Sequence, residues 1–147
     1  MNSTALIKSS AIVVLIAFAI SFFLPVYTAG WLDHVGWDVA YETLLETFHP
    51  HYIYDVLCDA LFDLANLVTP LILVMLAIGR FRGRSSLFGL VILALCVGNA
   101  APFVTDHMLL IGYWVWWGCQ LATLAIGIWS RFRPPQMVPA SVVPAKG

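Results

Sequence analysis

Four apolar runs, and the signs of the charges between them, constrain this sequence more than any other feature. Seven basic residues fall before the first run, between the second and third, or after the fourth: Lys8, Arg80, Arg82, Arg84, Arg131, Arg133 and Lys146. Eight acidic residues lie in the other two connections or at the adjoining helix ends: Asp33, Asp38, Glu42, Glu46, Asp55, Asp59, Asp63 and Asp106. Lysine and arginine in short loops mark the cytoplasmic side of a membrane protein. The pattern therefore predicts cytoplasmic N- and C-termini and an acidic loop outside.

The composition argues against an ordinary soluble domain. Of the 147 residues, 61% are hydrophobic and 10% are charged, whereas soluble domains have about 45–50% and about 25%. A transmembrane helix needs about 20 residues, and spans are expected at about 7–27, 59–79, 87–103 and 108–129. We therefore predict an all-α, polytopic membrane protein with a four-transmembrane-helix bundle in residues 1–133, an outer loop at 28–58 and a disordered cytoplasmic tail at 134–147. The lack of eukaryotic targeting signals favours a bacterial inner membrane.

The outer loop contains its own helix signal. Large apolar residues recur there at the i, i+4, i+7, i+8, i+11 spacing of one helix face: Trp37, Tyr41, Leu44, Leu45 and Phe48. Asp38, Glu42, Glu46 and Thr47 occupy the opposite side. The helix is expected to end at His49, because a residue before proline is disfavoured in the α region. Such a helix is expected to lie flat on the membrane or to cap the bundle, and it is the predicted interface with a partner.

A polar stripe marks the second span. Asp55, Asp59 and Asp63 are four residues apart and Asn66 follows three later, while Pro70 removes the donor for the Asn66 carbonyl. Ser21, at similar depth on the first span, adds to this polar level. The predicted ion or ligand pocket consists of Asp59, Asp63, Asn66, Asn99, Asp106 and His107. Ionisable residues inside a membrane are functional hypotheses by default. A structural reading competes, in which the carboxylates favour a helix N-terminus and the amides bond between helices.

Other signals for chemistry are weak. His49 and His51 are weak candidates for a metal site, since their spacing is not a specific metal signature. No metal and no cofactor is predicted. The nucleophile elbow, phosphate loop, zincin and dinucleotide fingerprints are absent from the sequence. Trp116 and Trp117 lie deeper in the fourth span and are expected to point to different sides. Contact with lipid is favoured for them over binding of a quinone or another flat ligand.

Two main functions remain open at this point. The first is a non-enzymatic accessory, assembly or interaction protein, with membrane lipids and other membrane proteins or a second copy as partners and no nucleic acid. The alternative is a small transporter, or a proton- or cation-linked carrier, with an outward-facing polar pocket around Asp63. A membrane enzyme that acts on lipid through a His and Asp pair is a weaker third possibility.

Overall fold

The computed structural model describes residues 3–29, 32–48, 53–81, 84–100 and 110–132. These residues are mostly helical. In chain order the elements are α1 (Ser3–Ser21), β1 (Pro25–Ala29), β2 (Leu32–Val35), α2 (Gly36–Phe48), α3 (Ile53–Ala77), α4 (Arg84–Ala100) and α5 (Ile111–Arg131). The predicted tail at 134–147 and the connection at 101–109 lie outside the described residues.

Three of the helices are long and apolar enough to span a membrane, with spans at Thr4–Ser21, Ala60–Ala77 and Ile111–Arg131. The apolar part of α4, Ser86–Asn99, is shorter. Many large apolar residues lie on the outside of the helices, and several polar residues lie inside. Leucines and isoleucines such as Ile16, Leu67 and Leu71 are exposed, while polar residues are buried: Ser21, Thr69, Ser86, Gln120 and Thr123. An apolar exterior of this extent favours contact with lipid, and buried polar and small residues are typical of contacts between membrane helices.

The long helices pack side by side. Helix α1 contacts α3 and α5, and α4 also contacts α3 and α5. Basic residues gather at one end, which we call the basic end. There a Cβ built on Gly79, after α3, would lie 3.4 Å from Lys8 Cε of α1, and Arg131 of α5 donates to Ser86 Oγ of α4 over 3.1 Å. Helices α3 and α5 thus run towards the basic end, whereas α1 and α4 run away from it.

Helix α3 stops at the basic end through a glycine. Gly79 has a φ of +72°, in the left-handed region that glycine enters without steric cost. The Arg80 N–H then donates to the Met75 carbonyl over 2.9 Å, which satisfies one of the carbonyls left open at the end of the helix. The side chain of Lys8 beside this end complements the negative end of the helix dipole.

The all-α expectation is wrong in one place, where the first span was expected to continue to Tyr27. Helix α1 ends at Ser21, and an antiparallel β1–β2 hairpin follows. Pro25 disfavours helix at the preceding residue, and valine, tyrosine and threonine favour strands. Partners run from Pro25↔Val35 to Ala29↔Leu32, with a register shift that leaves Val26 out of the pairing. The Val26 carbonyl instead accepts a hydrogen bond from the Leu110 N–H over 2.7 Å.

Two glycines let this hairpin close against its neighbours. A Cβ on Gly36, where α2 begins, would lie 2.8 Å from the Ser21 carbonyl oxygen. A Cβ on Gly112, in the first turn of α5, would lie 2.6 Å from the Pro25 carbonyl oxygen. Both contacts are with backbone, so a larger residue at either position requires the chain to move. The end of α1, the start of α2 and the start of α5 therefore meet at the end opposite to the basic one, which we call the hairpin end.

The predicted helix of the outer loop is present as α2, Gly36–Phe48. Its first two N–H groups are capped by backbone, since Gly36 donates to Leu24 and Trp37 donates to Phe22. The helix packs against α3, and Val39 lies beside the same small cavity as Phe62 of α3. Only residues 49–52 separate α2 from α3. Helix α2 therefore runs back along the first part of α3.

The remaining helix bounds differ from the predicted spans by a few residues. Helix α3 begins at Ile53, six residues before the expected start at 59, because its first turns pair with α2 outside the apolar stretch. Helices α4 and α5 begin at Arg84 and Ile111, each three residues from the predicted starts at 87 and 108. Pro70 lies inside α3.

Candidate functional site

A hydrogen bond between two long helices is the centre of the site. Trp116 Nε1 of α5 donates to Asn66 Oδ1 of α3 over 2.7 Å. Phe62, one turn before Asn66, stacks on the Trp116 ring with centroids 4.4 Å apart and planes at 25°. Tyr113, one turn before Trp116, also contacts the indole, with centroids 5.7 Å apart and planes at 42°. The indole is therefore fixed by one polar and two aromatic contacts, and 5% of Trp116 is exposed.

A small cavity adjoins this bond at the hairpin end. Its lining is Ser21, Phe22, Val26, Gly36, Val39, Phe62, Asn66, Tyr113 and Trp116. Its volume is about 10 Å³, which is about the volume needed for one water molecule. The Ser21 hydroxyl donates to the Phe18 carbonyl over 2.6 Å, so its oxygen retains acceptor capacity. A cavity of this size does not admit a solute larger than water without movement of the hairpin.

One turn further towards the basic end lie two buried polar residues. Thr69 follows Asn66 by three positions on α3, and Gln120 follows Trp116 by four on α5. Both residues have no exposed surface. Among the described residues, Thr69 Oγ1, Gln120 Oε1 and Gln120 Nε2 have no hydrogen-bond partner. A buried polar group left unpaired costs about 1–3 kcal/mol, so this pair is the least satisfied part of the interior.

The Thr69 hydroxyl differs from the other helix hydroxyls in this respect. Thr123 donates to the Cys119 carbonyl over 2.7 Å, and Ser130 donates to the Gly127 carbonyl over 2.9 Å. Bonding back to a carbonyl three or four residues earlier is the usual arrangement for such residues inside helices. The Thr69 side chain does not use that partner, so its hydroxyl remains available to a group between the helices.

Three residues of the predicted pocket have described side chains: Asp63, Asn66 and Asn99. Asn66 lines the cavity, whereas Asp63 and Asn99, both half-buried, are not among its lining residues. The side chain of Asp59, and Asp106 and His107 altogether, lie outside the described residues. His49 and His51 also lie outside them. Within the described part of the chain, no three His, Cys, Asp or Glu side chains form a group that could hold a metal ion.

Sequence reasoning misplaced one residue of this site and overlooked two. The expectation that Trp116 contacts lipid is wrong, because the indole is buried against α3. Thr69 and Gln120 were not identified as candidates. Gln120 has a signal that could have found it, since it is an amide in the middle of an apolar run and four residues from Trp116. Thr69 has a weaker signal, because a threonine beside a proline is common in membrane helices.

A second candidate site is the surface of α2. Val39 and Ala40 are half-buried, with Val39 beside Phe62 of α3. The large residues at the predicted spacing point away: Trp37 is 66% exposed, Tyr41 59%, Leu44 47% and Leu45 46%. We call these four residues the α2 apolar face. The side chain of Phe48 lies outside the described set.

Comparison with known proteins adds no functional information. The sequence matches no protein-family model, and no match was found among curated proteins or among solved structures.

Proposed function

We propose that this chain is a non-enzymatic membrane protein that binds another membrane protein through its outer segment, α2. In this proposal α4 is the fourth span, both termini are cytoplasmic and the membrane is a bacterial inner membrane. Two observations support the arrangement. Lys8, Arg80 and Arg131 belong to the basic end, which is the cytoplasmic end by the distribution of Lys and Arg. The hairpin and α2 are at the opposite end.

The shorter helix α4 is suited to complete a four-helix transmembrane bundle. Its 17 residues are about 26 Å long at 1.5 Å per residue, close to the hydrocarbon thickness of about 30 Å. Leu87, Phe88, Val91 and Leu95 are exposed on it, as lipid contact requires. It also packs between α3 and α5, so a membrane that surrounds those two helices also surrounds α4.

The α2 apolar face carries the functional proposal. Trp37 and Tyr41 lie in the part of α2 nearest the apolar span of α3, where tryptophan and tyrosine are stabilised at the membrane interface. Leu44 and Leu45 lie further along α2, about 5 Å beyond Tyr41 and about 10 Å beyond Trp37 at 1.5 Å per residue. They are beside the part of α3 that precedes its apolar span at Ala60–Ala77. Exposed leucines are stabilised less than aromatic residues by contact with the lipid headgroup region. An apolar helix of a partner protein is therefore the occupant that we propose for Leu44 and Leu45.

The test is crosslinking of the full-length protein in native membranes, with a photoreactive residue at Asp38, which is exposed beside this face. Leu44→Ala with Leu45→Ala is expected to reduce a specific crosslinked product at least tenfold, since loss of an interface anchor commonly costs about 2 kcal/mol or more. The matched control is Leu67→Ala with Leu71→Ala, which removes two exposed leucines from the span of α3. Equal yields from both double variants would contradict the proposal.

The carrier remains a second candidate, favoured by the buried and unpaired side chains of Thr69 and Gln120. Asp63 does not line the cavity, which weakens the version of this function that depends on that carboxylate. Ion flux into proteoliposomes tests it directly. Flux that is present in the native protein and lost in Asp63→Asn, at equal protein level, would favour the carrier over the interaction protein.

A further inference from the structure

We infer that Thr69 and Gln120 form a site for one bound water molecule inside the membrane-spanning part of the protein. This site is independent of the proposed function of α2. Both residues have no exposed surface, and three of their polar atoms have no partner among the described residues. Water is a ligand that can donate to the Gln120 carbonyl oxygen and accept from the Thr69 hydroxyl or the Gln120 amide.

The two side chains lie at the same level of two helices that run in the same direction. In an α-helix the Cα–Cβ bonds tilt towards the N-terminus, and long side chains lie over the preceding turn. The N-termini of α3 and α5 are both at the hairpin end. Thr69 therefore leans towards the level of Asn66, and Gln120 leans towards the level of Trp116, which are joined by a hydrogen bond. Neither Thr69 nor Gln120 lines the small cavity, so the proposed water lies between the two helices below it.

A further acceptor lies at the same level. Pro70 has no N–H, so the Asn66 main-chain carbonyl lacks the donor that a residue four positions later normally supplies. A water molecule between Thr69 and Gln120 can donate its second proton to this carbonyl. With a hydroxyl, an amide and a carbonyl as its partners, the water makes about three hydrogen bonds, as buried waters usually do.

The chemistry of the lining selects a neutral ligand. The cavity is lined by hydroxyl, amide and indole groups with no carboxylate, and the level below it carries the hydroxyl of Thr69 and the amide of Gln120. A divalent metal ion usually takes charged carboxylate or several oxygen ligands, and the described residues form no such group. The site therefore holds water and not a metal ion.

Radiolytic footprinting of the reconstituted full-length protein tests the inference. Hydroxyl radicals generated from bound water oxidise adjacent side chains, so oxidation of buried Trp116 is expected in the native protein. Thr69→Val and Gln120→Met, which keep side-chain size, are each expected to abolish that oxidation. Thr69→Ser, which keeps the hydroxyl, is expected to retain it, and so is Thr123→Val, whose hydroxyl bonds to its own helix.

Stability provides a second measurement that separates bound water from a vacant polar pair. If water bridges the pair, each of the substitutions Thr69→Val and Gln120→Met raises the equilibrium constant for unfolding by about fivefold, and the two effects combine to less than their product. If no water bridges the two side chains, the same substitutions lower the equilibrium constant for unfolding, because apolar replacements then stabilise the protein. No oxidation of Trp116 in the native protein, oxidation that persists in both variants, or stabilisation by both would overturn the inference.

Discussion

Substitution of Asn66 by leucine is expected to destabilise the protein by about 1.5 kcal/mol. The change removes the acceptor of the bond from Trp116 Nε1 but keeps side-chain size and the ring stacking with Phe62. An unpaired buried donor costs about 1–3 kcal/mol, whereas bonds between membrane helices average about 0.6 kcal/mol with a maximum near 1.7. The distance of 2.7 Å is at the short end for such bonds, and 5% of Trp116 is exposed. Both facts indicate that the contribution of this bond is close to the maximum of about 1.7 kcal/mol. A loss of about 1.5 kcal/mol raises the equilibrium constant for unfolding roughly tenfold.

The assay is a double-mutant cycle of Asn66→Leu and Trp116→Phe, measured by reversible unfolding in bicelles. The coupling energy of the two changes is expected to be about 1 kcal/mol or more. Trp117→Phe provides the matched control, because its indole reaches the Val97 carbonyl over 3.4 Å, a much longer contact. A coupling below about 0.3 kcal/mol, which is within the range of independent sites, would refute the reasoning. Equal losses from Trp116→Phe and Trp117→Phe would refute it as well.

The glycines give two further predictions that the same unfolding measurement checks. Gly112→Ala should destabilise by about 1–3 kcal/mol, because its Cβ would lie 2.6 Å from the Pro25 carbonyl oxygen. Gly118→Ala, with nothing within 4 Å of its Cβ, should instead stabilise α5 by about 0.5–1 kcal/mol; the same sign for both would contradict the close packing of α5 against the hairpin. Gly79→Ala should cost about 1–2 kcal/mol because of its positive φ, and a neutral result would show that the end of α3 rearranges freely.

The structural elements that were predicted are those whose type and position depend on the local sequence. Helix α2 could be identified because its large residues recur at the helical period, and its end at Phe48 agrees with the barrier that Pro50 imposes. Three spans could be identified from length and apolarity. The β-hairpin could not, because Val26 and Tyr27 continue an apolar run and hydropathy does not distinguish a strand from the end of a helix.

The site was harder to predict because large apolar residues occur on every side of α5. In a soluble helix, apolar residues mark the buried side, but in α5 the exposed Trp114 is as apolar as the buried Trp116. Trp116 was therefore expected to contact lipid, although the buried polar residues Gln120 and Thr123 mark the interior side of the helix. The partner of Trp116 is Asn66, fifty positions earlier. Such a pairing depends on how α3 and α5 rotate against each other, which local spacing does not encode.

The packing of the hairpin against α5 also has a consequence for the synthesis of the protein. Helix α1 is synthesised before α5, the last helix among the described residues, yet α5 is one of its two main neighbours. The Val26 carbonyl receives its bond from Leu110, and Gly112 fits against the turn that follows α1. While the ribosome is still translating α5, the hairpin therefore lacks the surface against which it closes. A nascent chain released before α5 would leave this end open, and membrane proteases that degrade unfinished proteins would have a feature by which to distinguish it from the complete one.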